Sequence, residues 1–71
     1  MTEKDFLEKM RKILDNEDVR MDSVLNDIEE WDSLSVVSYA TVANSLGKSV
    51  TLPQIRDCVT IRDLFNLLMQ Q

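Results

Sequence analysis

The stretch Glu29-Glu30-Trp31-Asp32-Ser33-Leu34 divides the chain into two unlike parts. Eleven of the thirteen acidic residues lie at or before Asp32, and only Asp57 and Asp63 follow it. Beyond it, apolar residues fall at helical spacing. Asp32 suits a helix N-cap, because its carboxylate can accept the free N–H groups of the first turn. Ser33 is then the first helical residue, its hydroxyl on the surface at the positive end of a helix dipole. Anionic groups, phosphate included, are favoured at such ends.

Upstream of this stretch, residues 16–32 read as a long connection. Val19, Met21, Val24, Leu25, Ile28 and Trp31 recur along it, which predicts a segment pinned onto the core. A connection of this length is uncommon in a compact domain unless it has a function or short turns of its own. Asp27, Glu29, Glu30 and Asp32 read as a solvated acidic rim. There is no His among them and the spacing is not that of a calcium-binding loop, so no metal is expected. Further back, Thr2 caps a first helix with Glu3 and Asp5 in its positive first turn. Phe6, Leu7, Met10, Ile13 and Leu14 form its apolar stripe, and the Asp15-Asn16-Glu17-Asp18 cluster ends it near Asp15.

Downstream, a second helix is predicted from Ser33 to about Leu46, with Gly47 as a left-handed terminator. Val36, Tyr39, Val42, Ala43 and Leu46 form its core stripe. Leu34, Val37, Ala40 and Thr41 lie off that stripe. They are either buried against the long connection or left open as a surface for a partner. Pro53 suits a first turn, so residues 53–57 read as a short third helix. Thr60 caps the last helix with Asp63 as its capping-box partner, and Val59 and Leu64 make a hydrophobic staple. Ile61, Leu64, Phe65 and Leu68 form its inner face. The expected class is all-α: a small four-helix bundle of three longer helices and one short one, with the longest loop between helices 1 and 2.

Composition agrees with one domain over residues 1–71 and a small core. Residues 1–32 carry eleven acids and five bases, a net of −6, whereas residues 33–71 carry two acids and three bases, a net of +1. An acidic front half argues against nucleic acid, which needs clustered Lys and Arg. It fits a docking partner with a basic surface. Cys58 is the only cysteine and there is no His to activate it, so it reads as a small apolar residue of a reducing compartment. No stretch has the length of a membrane span and the amino terminus is unlike a signal peptide, which points to a cytoplasmic protein.

Trp31-Asp32-Ser33-Leu34 resembles the modification motif of acyl carrier proteins, in which a serine after an aspartate receives 4′-phosphopantetheine. The ending Val59-Thr60-Ile61-Arg62-Asp63-Leu64 is similar to the family's entry into its last helix. Leu52-Pro53 sits where the family has its short third helix. The chain departs from the pattern in having no acid between Ser33 and Arg56, and in a span from Ser33 to Pro53 about one residue shorter than is common.

The resemblance implies a free-standing acyl carrier, not itself an enzyme and expected to be a monomer. Ser33 would receive the arm from coenzyme A through a phosphopantetheinyl transferase, with Asp32 capping the helix beside it. Acyl-loading and acyl-transferring enzymes of fatty acid, polyketide or specialised acyl pathways would be the other partners. They would read Glu29 and Glu30 together with the apolar patch of Leu34, Val37 and Thr41. Two rivals remain: an aminoacyl carrier, of D-alanine for example, and an unmodified helical adaptor that only binds proteins. The missing Gly-Gly before Ser33 counts against a peptidyl carrier.

Overall fold

Capping chemistry starts each long helix of the computed structural model, which describes residues 1–70. Helix α1 (Glu3–Leu14) begins at Thr2, whose hydroxyl accepts from the Asp5 amide at 3.1 Å while the Asp5 carboxylate reaches back to the Thr2 amide. It ends at Asp15, which adopts the left-handed conformation (φ 51°) that Asp tolerates better than most residues. An acid there opposes the helix dipole, and Arg11 and Lys12 in the last turn offset it. Helix α2 (Ser33–Ser45) is capped by Asp32, and Gly47 (φ 75°) turns the chain away after it. The amide of Lys48 closes that turn on the Ala43 carbonyl at 2.9 Å.

Helix α3 (Leu52–Arg56) carries Pro53 in its first turn and starts at Thr51, which forms a capping box with Gln54. Helix α4 (Ile61–Met69) starts at Thr60 with Asp63 as its capping-box partner. The expected four-helix, all-α arrangement is observed, with the four helix starts and the ends of α1, α2 and α3 within one residue of their predicted places.

Phe6, Met10 and Leu14 of α1 meet Tyr39 and Ala43 of α2 and Ile61, Leu64 and Leu68 of α4 in one core. Phe6 stands edge-on to Tyr39, with ring centroids 6.2 Å apart, and tilts against Phe65 at 5.5 Å. Tyr39 brings a hydroxyl into this apolar interior and donates it to the Leu64 carbonyl at 2.7 Å. Without that partner the buried hydroxyl would carry a desolvation cost.

The long connection is bolted down as its apolar recurrence predicts. Val19, Leu25 and Ile28 are buried, and residues 25–27 form a single 3-10 turn. An isolated antiparallel bridge joins Val24 to Thr60, through Leu25 N to Val59 O at 2.8 Å and Ile61 N to Ser23 O at 3.1 Å. The Arg62 amide donates to the Met21 carbonyl at 2.8 Å. Loop carbonyls therefore take up two amides of the first turn of α4, which have no partner inside the helix. On the other side, Arg11 Nε holds the Val19 carbonyl at 2.9 Å.

Several expected core positions differ. Leu46 is exposed, because it is the C-cap and no longer follows the helical phase of the stripe. Val36, Val42 and Phe65 are only half-buried. Val59 is also exposed, so it does not act as a covered staple over Leu64. The Asp63 carboxylate fixes the entry to α4 instead, accepting from the amides of Val59 at 2.9 Å and Thr60 at 3.1 Å.

Candidate functional site

Ser33 is exposed at the first position of α2, and the residues around it fix where the helix begins. The chain arrives through a turn in which the Trp31 amide bonds the Ile28 carbonyl at 3.1 Å. Asp32 then takes an extended conformation, and its Oδ1 accepts from the amides of Leu34 at 3.0 Å and Ser35 at 3.1 Å. The two bonds occupy the second and third amides of the helix, and Ser33 at the first position stays exposed. No acid lies in the first turn itself, so Asp32 alone opposes the positive end of a thirteen-residue helix.

Ser35, two residues further on, is 6% exposed. Its hydroxyl donates to the Glu30 carbonyl at 2.6 Å, with Asp32 Oδ1 more distant at 3.3 Å. This ties the first turn of α2 to the end of the connection. Glu30 is tethered too, because its Oε1 accepts from Asn16 Nδ2 at 3.1 Å. Glu30 is thus part of the loop's closure, whereas Glu29 is an exposed rim charge.

The face of α2 whose fate the sequence left open is not covered by the connection. Leu34 is 76% and Val37 62% exposed, with Thr41 exposed beside them and Ala40 half-buried. Leu52 of α3, 55% exposed, adds to this apolar surface.

Between α2, α3 and the connection lies a cleft of about 440 Å³ that Ser33 helps to line. Leu25, Trp31, Val36, Val37, Leu52 and Ile55 give it apolar walls, while Asn26, Arg56 and Cys58 supply the other groups. Sequence reading assigned no site role to Leu25, Asn26, Leu52, Ile55 or Arg56, because a cleft built from three separate segments has no local signature. Burial pushes the Cys58 thiol up, and the carboxylates of Asp63 and Asp57 push it further the same way. It stays protonated, with Sγ directed to the Gln54 carbonyl at 3.5 Å, and is not an activated nucleophile.

Among the described residues, no three His, Cys, Asp or Glu side chains converge to hold a metal ion, and no helix is long and apolar enough to cross a membrane. No family model, no curated protein and no solved structure matches the chain.

Proposed function

We propose that this chain is an acyl carrier protein, modified on Ser33 by 4′-phosphopantetheine. The observation that carries the reading is the placement of one exposed serine hydroxyl at a capped helix start, on the edge of an apolar cleft. An ordinary capped helix start accounts for Asp32 and Ser33. It does not account for the six apolar side chains that wall the cleft beside Ser33.

In the proposed modification the Ser33 Oγ forms a bond to the phosphorus of coenzyme A that bears the pantetheine chain. The diphosphate P–O–P bond breaks, adenosine 3′,5′-bisphosphate leaves, and the serine proton passes to a base of the transferase. When bound, the arm supplies a terminal thiol for thioester linkage. The chain's own residues do the rest by position. Asp32 and Ser35 hold the helix start, and the dipole of α2 favours the phosphodiester charge beside it. The apolar walls offer an aliphatic group shelter worth about 25 cal/mol per Å² of surface removed from water. That shelter supports acyl cargo, because it lies within reach of an arm attached at Ser33.

Incubation with coenzyme A, magnesium and a broad-specificity phosphopantetheinyl transferase tests the reading by intact mass. One arm should be added to the wild type and none to Ser33→Ala. Absence of addition, or addition that persists in Ser33→Ala, would refute it.

A further inference from the structure

Among the described residues, Arg56 is the one charged side chain that lines the cleft. It is the last residue of α3, is exposed, and faces walls that are otherwise apolar or neutral. No carboxylate shares the lining, and from Ser33 to Arg56 the chain has no acid at all. A cation on an apolar wall has a chemical consequence. It attracts a negative group brought into the cleft, repels a positive one, and leaves a neutral chain to the apolar walls alone.

Building on the carrier reading, we propose that Arg56 makes the Ser33 cleft selective for anionic cargo. The favoured occupant is an apolar segment that carries a negative group. That group is a carboxylate at the far end of the acyl chain, because the phosphodiester of the arm is common to every cargo and cannot distinguish one from another. Aminoacyl cargo, whose free ammonium would meet the Arg56 guanidinium, is disfavoured. The cleft thereby separates the two carrier readings that the sequence alone leaves open.

The test loads Ser33 with four arms: unacylated, hexanoyl, adipoyl (5-carboxypentanoyl) and 6-aminohexanoyl. Loading is verified by intact mass. Occupancy is read by NMR from the amides and methyls of Val36, Val37, Leu52 and Ile55, in wild type and in Arg56→Gln. Circular dichroism establishes that the variant keeps its helices. An exposed ion pair supplies about a two- to fivefold change in population. Adipoyl occupancy should fall by that factor in Arg56→Gln while hexanoyl occupancy does not change. If the unacylated arm and all cargoes share the same dependence on Arg56, the guanidinium reads the phosphodiester and the proposed selectivity for anionic cargo is overturned. In wild type, 6-aminohexanoyl should occupy the cleft least, and Arg56→Gln should raise it. Loaded protein in which Arg56→Gln alters none of the four forms overturns the proposal and leaves the carrier reading intact. Failure to load Ser33 removes the carrier reading, and this inference with it.

Discussion

The Ser35 hydroxyl donates to the Glu30 carbonyl across 2.6 Å, in a position only 6% exposed. The serine that positions the start of α2 is therefore not the one offered to solvent. Ser33 and Ser35 are two residues apart, but one faces a cleft and the other clasps the connection to its helix. Their substitution should separate function from stability.

Ser35→Ala removes the donor from the Glu30 carbonyl in a part-buried bond, which costs about 0.5–1.5 kcal/mol. Asp32→Ala removes the side-chain cap and should cost about 0.5–2 kcal/mol. Ser33→Ala, at an exposed position, should stay within about 0.5 kcal/mol of wild type. Urea unfolding of the three variants checks the order. A Ser33→Ala loss as large as that of Ser35→Ala would mean that the clasp is misassigned.

The core of α4 makes a second ranking. Leu64 is fully buried, so Leu64→Ala should cost about 2–5 kcal/mol. Phe65 packs on Phe6 but keeps one side in solvent, so Phe65→Ala should fall below the ~3–5 kcal/mol of a fully buried phenylalanine. Thermal or urea melts in which Phe65→Ala is the more damaging change would contradict this placement of the core.

These differences mark what the sequence can and cannot convey. Thr2, Asp32 and Thr60 were legible as caps because a cap is a contact between neighbours in the chain, with a fixed three-residue reach. Leu46 was read as core by extending a helical stripe one residue past the last helical position, where its phase no longer holds. The burial of Ser35 has no sign in the sequence, because its partner, Glu30, lies on the far side of the cap, where no period predicts a bond. The cleft was invisible for a similar reason. Its walls come from Leu25 and Trp31 in the connection, Val36 and Val37 in α2, and Leu52 and Ile55 in α3. The place of Ser33 at the start of α2 is legible because an aspartate cap fixes where the helix begins.

The entry to α4 should respond to acid. Amide donation from Val59 and Thr60 holds the Asp63 carboxyl below its ordinary value of 3.8. A carboxyl lowered in the folded state binds protons more readily once unfolded. Its stabilisation is thus fully present above about pH 3.8 and is lost as pH falls through the lower folded value. Asp63→Asn should be less stable than wild type at neutral pH, and the gap should narrow in acid. A gap that stays constant from pH 7 down through this window would show that the charge of Asp63 is not what fixes the helix start.

Tyr39 gives the opposite sign. Burial pushes its hydroxyl well above the ordinary value of 10.0, with Cys58 adding to the shift. The folded state holds that proton more tightly than the unfolded chain, so stability is intact below about pH 10 and declines as pH rises beyond it. The chain has one tyrosine, so phenolate absorbance reports this group alone. Ionisation should coincide with alkaline unfolding and not precede it. Tyr39→Phe should remove the effect at a cost of about 0.5–1.5 kcal/mol at neutral pH, from the lost bond to Leu64.

Partner docking should divide between charge and apolar contact. Glu29 belongs to the acidic rim before α2, and Glu30 is held there by Asn16. The face of α2 offers Leu34, Val37 and Thr41 and carries no carboxylate. Rim charge chiefly sets association rate, and salt screens it over about 8–10 Å. Glu29→Lys leaves the Asn16–Glu30 tether in place, so it isolates the charge from the loop's structure. It should slow transfer of the arm onto Ser33 most at low salt, with the difference fading as salt rises. Val37→Asp places a charge in the middle of the exposed patch and should weaken binding at every salt concentration. Transferase kinetics across a salt series measure both, with circular dichroism to verify the helices. If Glu29→Lys matches wild type at low salt, the rim takes no part in docking and the neutral face of α2 acts alone. If Val37→Asp matches wild type at all salts, the apolar patch is not the surface that the transferase reads.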